Sequence, residues 1–266
     1  MNDAPQADAT STDPSRRDAQ RQRLRQELRA QRQAEIARSR RTRTTLIAAL
    51  VILALAIAAG LGYLIHRSTQ PAPPPVAPSA IGDSPYLTLG APEGSGVPVV
   101  EIHLDFMCPH CGVFEDINAE DVSELVETQQ ATVNLVPRRF MDASSSTGDY
   151  SSRAANAMVC VYEDDPANTL DYQQAVFAQQ ASVGNAGLSD EELWSYAEQA
   201  GAAPEVNTCI TERTHQSWVR QVVDPYGDEV GGGTPFVRVD GTVIEDWSTP
   251  GALRSAVEST TRPEEG

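Results

Sequence analysis

The chain has 266 residues, a formal net charge of −17, 20 Arg and no Lys, and only 6% aromatic residues. That length holds one domain of ordinary size plus added segments and buries a sizeable core. Charge is segregated: residues 1–43 carry a net +5 and residues 71–266 a net −23. The main body therefore lacks the basic face that phosphate contacts require, which excludes nucleic-acid binding for it.

Residues 1–43 form an Arg-rich tail. Its first 15 residues are rich in Asp, Ala, Ser, Thr and Pro and read as disordered. Residues 16–41 lack Pro and Gly and favour helix. A topology signal on a solvated helix, with contact to anionic lipid as its consequence, accounts for the Arg content better than RNA binding. Residues 44–66 follow as a transmembrane helix around the uncharged run Leu46–Ile65. Twenty such residues span about 30 Å of hydrocarbon. A cleaved signal peptide would have a shorter apolar region and a short basic start. Arg38, Arg40, Arg41 and Arg43 precede the span and Arg67 follows it, so the N-terminus is expected in the cytoplasm and the rest outside it. Residues 67–82, with Pro71, Pro73, Pro74, Pro75 and Pro78, are expected to form a stiff extended stalk of about 30 Å that lifts a domain off the membrane.

The outer domain is expected over residues 83–260, with a short tail at 261–266. Val97–Phe106 reads as a buried strand and Ala131–Val136 as a second. Between them, Cys108–Glu127 reads as a helix with Val113, Phe114, Ile117, Val122, Leu125 and Val126 near one face. A block of helices is expected over about 145–230, one of them behind Ser189 as N-cap. Val237–Val239 and Thr242–Trp247 flank Asp240-Gly241, a hairpin signal. Pro250–Glu258 reads as a closing helix.

The chemistry sits in Cys108-Pro109-His110-Cys111, where the first strand turns into the helix. Cys108 falls at the helix N-cap, where unpaired N–H groups and the positive end of the helix dipole stabilise a thiolate, the nucleophile of disulfide exchange. Pro109 fits the first helical position. His110 adds positive charge or a donor, and Cys111 returns on the same face to close a ring with Cys108. A c-type haem site needs His where Gly112 stands. A zinc site needs two further closely spaced ligands, which Cys160, Cys209, His66, His103 and His215 do not supply as a motif. A purely structural bridge across so small a loop would stabilise little. A redox pair is the reading that remains, and it needs neither metal nor organic cofactor.

With Asp105-Phe106-Met107-Cys108-Pro109-His110-Cys111, Gly233-Thr234-Pro235 before a strand and Asp240-Gly241 between the last two strands, residues 86–257 resemble the membrane-anchored DsbA-like thiol–disulfide oxidoreductases. The resemblance implies an α/β thioredoxin-like fold with an inserted helical domain. It implies that Cys108 is the exposed attacking thiol, Cys111 the buried resolving thiol, and Thr234-Pro235 a cis-proline turn facing them. Taken singly, Thr-Pro is an ordinary strand entry. The family often carries a buried acid six residues before the first cysteine. Here Ile102 holds that place and Glu101 is one further back, on the opposite strand face. Three alternatives stand: a bulge restores Glu101, Asp105 takes part in proton transfer, or neither acts. Thr234 replaces the apolar residue of the best-known oxidases and offers a hydrogen bond to sulfur. Cys160 and Cys209, both in the helical block, are expected to form a structural bridge rather than a relay, since the space outside the bacterial cytoplasmic membrane is oxidising. Some relatives have similar bridges.

The function implied is disulfide formation in exported, reduced or unfolded proteins, with a quinone-linked membrane oxidase as reoxidising partner. A reductase or isomerase of the same fold is the alternative within the class; a dimeric isomerase would carry a dimerisation module where the Pro-rich stalk stands. A membrane-tethered chaperone or binding domain is the non-enzymatic alternative.

Overall fold

The computed structural model describes residues 14–69, 72–82 and 84–261. The expected disorder over 1–15 falls mostly outside them, as do residues 262–266 of the C-terminal tail. The chain divides into two compact units, one ending at Pro71 and one beginning at Ala72.

In the first unit a single helix, α1, runs from Pro14 to Thr69. Its stretch Arg43–His66, 24 residues with mean hydropathy 2.6, is long and apolar enough to cross a membrane. Leu50, Ile52, Leu55 and Ile65 each leave more than half their surface uncovered by protein, which suits a lipid surround.

The second unit is built on a five-stranded sheet of β1 (Leu87–Gly90), β2 (Val99–Leu104), β3 (Thr132–Pro137), β4 (Phe236–Val239) and β5 (Thr242–Val243). The spatial order is β1-β3-β2-β4-β5. β2 and β3 are parallel, joined by α2 (Pro109–Glu127), and the other pairings are antiparallel. Both parallel strands are covered on two faces, which explains their nearly continuous apolar sequence. β1 escaped the sequence reading because Leu87-Thr88-Leu89-Gly90 is too short to show a period. β5 stops at Val243, short of the expected Trp247, because Glu245 and Asp246 lead into a turn closed by Thr249 N–H on Asp246 O. Asp240 and Gly241 both have positive φ, the geometry of a tight hairpin turn. The chain closes with α10 (Ala252–Thr261).

The helices between β3 and β4 are α3 (Tyr150–Asp164), α4 (Thr169–Phe177), α5 (Gln180–Val183), α6 (Asp190–Gln199), α7 (Glu205–Glu212), α8 (Gln216–Trp218) and α9 (Asp224–Val230). A π-helical turn, Val219–Val223, joins the last two. Ser189 caps α6 through a reciprocal pair of bonds with Glu192. A disulfide between Cys160 and Cys209 ties α3 to α7. Arg138, fully buried beyond the end of β3, reaches Asp224 at 2.9 Å and Asp228 at 2.5 Å. Its guanidinium crosses Gly227 so closely that a Cβ there would overlap it.

The Pro-rich segment departs from the expected free stalk. Residues 72–79 belong to the second unit and lie along its helices as a strap. Extended polyproline backbone has no internal hydrogen bonds, so its carbonyls accept from side chains. Gln221 donates to Pro73 O at 2.7 Å, Ser217 to Pro74 O at 3.0 Å, and His215 Nδ1 to Val76 O at 2.8 Å. Buried His215 also pairs through Nε2 with Glu163 at 2.7 Å. The second unit thus starts at Ala72, where the sequence reading places the start of its domain at 83.

Candidate active site

The site forms where β2 ends. Asp105 O accepts the Cys108 N–H at 3.0 Å, making a turn that delivers the chain into α2. Cys108 takes an extended backbone at the N-cap with Pro109 behind it. The Asp105 carboxylate accepts from Met107 N, Met141 N and Ser151 Oγ, all within 2.8 Å. Burial pushes this carboxyl up to about 6 against those bonds and with a further push from Cys108. Both its oxygens are engaged in holding the turn.

The two sulfurs are free thiols. Cys111 is 1% exposed and Cys108 only 5%, so the attacking thiol expected to be exposed is largely covered. Its cover includes the Thr234 backbone, whose carbonyl accepts from Cys108 Sγ at 3.2 Å. The Thr234–Pro235 peptide is cis. The thiols differ sharply in acidity. Cys108 is drawn down to about 5, first by the hydrogen bond from the Cys111 thiol, then, against burial, by Thr234 and the backbone N–H groups of Cys111 and His110. Burial, and donation to Cys108, push Cys111 well up. Among the described residues the buried Thr234 Oγ1 has no hydrogen-bond partner, so its hydroxyl is available to the sulfur. His110 acts on Cys108 through its backbone N–H; its ring is exposed.

Glu101 is not restored by a bulge: the β2–β3 register runs unbroken from Val99–Thr132 to Leu104–Pro137. Its carboxylate is buried in a separate cluster, accepting from His103 Nε2 at 2.6 Å, Tyr226 at 2.8 Å and Arg238 at 2.8 Å. Burial alone would raise its carboxyl, but these bonds hold it below the ordinary value. Arg238 faces Glu101 directly across the β2–β4 pair, and among the described residues none of the Glu101 hydrogen bonds goes to the cysteines.

Sequence reasoning missed Gln180, whose side-chain amide donates to Phe106 O at 3.0 Å and Cys108 O at 2.9 Å, and Ser151. Both come from the helical block, and nothing local marks them. Beside Cys108, Phe106, Met107, Pro109, Tyr150, Gln180 and Asn185 line an open groove of about 350 Å³. Among the described residues, Cys160, Cys209 and His215 bring three potential metal-ligand atoms within 4.8 Å of one another, but both sulfurs are spent in their disulfide.

A strand running into a helix capped by an acidified thiol, with a second thiol one turn on and an X-Pro loop against the first, defines a DsbA-like thiol–disulfide oxidoreductase of thioredoxin fold. Residues 86–259 match the family described as Thioredoxin, and the chain belongs to that family. Among solved structures, the reduced disulfide bond oxidoreductase DsbG of Mycobacterium tuberculosis is 29% identical, with TM-score 0.56, over 66% of this chain and 88% of that one. Reduced DsbA of the same organism is 28% identical, with TM-score 0.57, over 68% and 95%. The thiol–disulfide oxidoreductase MdbA of Actinomyces oris, at 22% identity and TM-score 0.57 over 66% and 89%, shares the fold. A curated relative, the serine/threonine-protein kinase PknE of Mycobacterium tuberculosis, is 30% identical over 162 residues, 58% of this chain and 28% of its own length. The chain therefore spans just over a quarter of that relative.

Proposed function

We propose that this protein is a membrane-anchored, extracytoplasmic dithiol oxidase that forms disulfides in exported polypeptides through Cys108 and Cys111. In the oxidised enzyme, a substrate thiolate attacks Cys108 Sγ and breaks the Cys108–Cys111 bond. Cys111 leaves and takes a proton, as its raised pKa favours. A second substrate thiolate then attacks the substrate sulfur of the mixed disulfide and expels Cys108 as a thiolate. The substrate loses two electrons and two protons; Cys111 keeps one proton, the other passes to solvent, and the enzyme is left reduced with Cys108 as the thiolate. A quinone-linked membrane oxidase is the proposed acceptor of those electrons, and no metal or organic cofactor enters the scheme at this site.

The observation that carries this reading is the placement of the pair: Cys108 at the N-cap of α2, with Cys111 buried one turn on. A Cys108 pKa near 5 stabilises the reduced enzyme and makes Cys108 a good leaving group, both of which favour giving the disulfide away. The Asp105 carboxylate, fully engaged with Met107, Met141 and Ser151, serves by holding the turn. The test is oxidation of a reduced, unfolded model protein by the wild-type enzyme and by Cys108→Ser, with the Cys108–Cys111 potential measured against glutathione. An oxidising potential and Cys108-dependent oxidation are expected. A strongly reducing potential would assign the reductase direction, and activity surviving Cys108→Ser would remove the pair from the chemistry.

A further inference from the structure

The Cys108 carbonyl already accepts from two backbone donors of α2, Cys111 N at 3.0 Å and Gly112 N at 3.3 Å. Gln180 adds a third, at 2.9 Å, and the same amide nitrogen bonds Phe106 O at 3.0 Å. Two alternate carbonyls of the approach to the reactive sulfur are thus held by one side chain from the helical block. Between them, Met107 N is held by Asp105 Oδ1 at 2.8 Å. The backbone from Phe106 to Cys108 is fixed from both sides.

Gly112 completes the arrangement. A Cβ at that position would lie 2.3 Å from Gln180 Oε1, so a side chain one residue after Cys111 would oblige the amide to shift from its place across the turn. No helix-breaking role explains this glycine, which sits inside the first turns of α2. Glycine is a poor helix former relative to Ala, so its presence here points to the space it leaves for Gln180.

We propose that Gln180 is a positioning residue for thiol–disulfide exchange: its amide clamps the carbonyls of Phe106 and Cys108 and keeps the first N–H groups of α2 aimed at the reacting sulfur. The assignment rests on the exchange chemistry proposed above. Donors fixed in advance stabilise a developing thiolate without reorganisation at the moment of reaction. They do so only while the turn holds its place, which is the task of the neighbouring shell. Releasing the amide removes the bridge between Phe106 O and Cys108 O, leaving Cys108 O on its two α2 donors and the turn before the helix less firmly held. Thiolate, and with it the reduced enzyme, is then less stabilised.

The test compares the full-length wild type with Gln180→Ala, Gly112→Ala and the double variant. Three readouts are used: the Cys108 thiolate titration, the glutathione equilibrium (glutathione disulfide plus enzyme dithiol giving two glutathione thiols plus enzyme disulfide), and thermal unfolding. Gln180→Ala is expected to raise the Cys108 pKa by about 0.5–1 unit, the scale of a lost hydrogen bond. It should weaken the enzyme as an oxidant about three- to tenfold, or about 15–30 mV. Gly112→Ala displaces the amide from the other side and should reproduce both shifts while leaving the helical block intact. The double variant should match the single ones, because both remove one interaction. Unchanged pKa and potential in folded Gln180→Ala, or shifts that add in the double variant, would overturn the assignment. Should Gln180→Ala fail to fold, Gly112→Ala carries the decision alone. The thiol titration reads the positioning without any protein substrate, so a wild type that fails to oxidise substrates would count against the proposed function and leave this comparison intact.

Discussion

Cys108 and Cys111 are chemically identical residues three positions apart, and their surroundings draw the acidity of one up and of the other down. The thiolate absorbance of Cys108 should therefore titrate with a midpoint near 5, well below the free value of about 8.5. Because the contribution of His110 runs through its backbone N–H, His110→Ala should leave most of that depression in place, whereas Thr234→Val, which removes a hydroxyl donor, should raise the midpoint. A His110→Ala midpoint back at the free value would show that the ring dominates. Glu115 offers a second residue-scale test. It lies on the buried face of α2 and accepts a hydrogen bond from the Gln173 amide of α4 at 2.7 Å. Burial lifts its carboxyl from 4.5 to about 7 despite that bond. The folded state then binds this proton more tightly than the unfolded state. The penalty is absent below the unfolded value, grows as pH rises from about 4.5 to 7, and stays constant above. It reaches at most about 3 kcal/mol. Glu115→Gln should accordingly raise the melting temperature at pH 8 and change it little at pH 4; equal shifts at both would contradict the burial argument.

At the scale of elements, the helical block is secured to itself and to the strap. The Cys160–Cys209 disulfide closes a loop of 49 residues, worth about 4 kcal/mol in the chain-entropy account. Replacing both cysteines with Ala should lower stability by that order and leave the Cys108 titration unmoved. A shift in the titration would mean that the bridge also governs the site. The strap depends on His215, which joins Val76 O to Glu163. His215→Ala strands both groups, at a cost of about 1–3 kcal/mol, and limited proteolysis should then cut within residues 72–79 while the wild type resists. Equal cleavage of both proteins would mean that the strap is held by other contacts.

For the whole molecule, charge and hydropathy divide the labour. The helix α1 carries Arg-rich and apolar stretches in one continuous element, and the acidic second unit has a net charge that keeps it solvated. Alkaline washing of membranes should leave the full-length protein bound and release a chain lacking residues 44–66. Protease added outside intact cells should reach the outer unit and spare the Arg-rich tail, as the positive-inside rule requires. Cleavage of the tail in intact cells would reverse the orientation.

Local sequence determined a great deal here. Cys108-Pro109-His110-Cys111 at the end of an apolar run encodes a strand-to-helix junction, because N-cap, first-turn proline and cysteine spacing are all short-range properties. The uncharged run from Leu46 to Ile65 is legible for a similar reason: bilayer thickness sets its length. Position across the sheet and contact with the helical block are a different matter. Whether Glu101 faces the cysteines depends on the β2 register, which places it opposite Arg238 and beside His103 and Tyr226 instead. Asp105 stands at the strand-to-helix junction in the sequence, but its partners Met141 and Ser151 lie 36 and 46 residues away. Gln180 reaches Cys108 O across 72 residues, and the strap reaches Gln221 across 148. Those contacts come from packing, which brings together residues that no local period or motif relates. The tertiary structure alone therefore decided that Gly112 makes room for a side chain and that the Pro-rich segment lies docked on the helices.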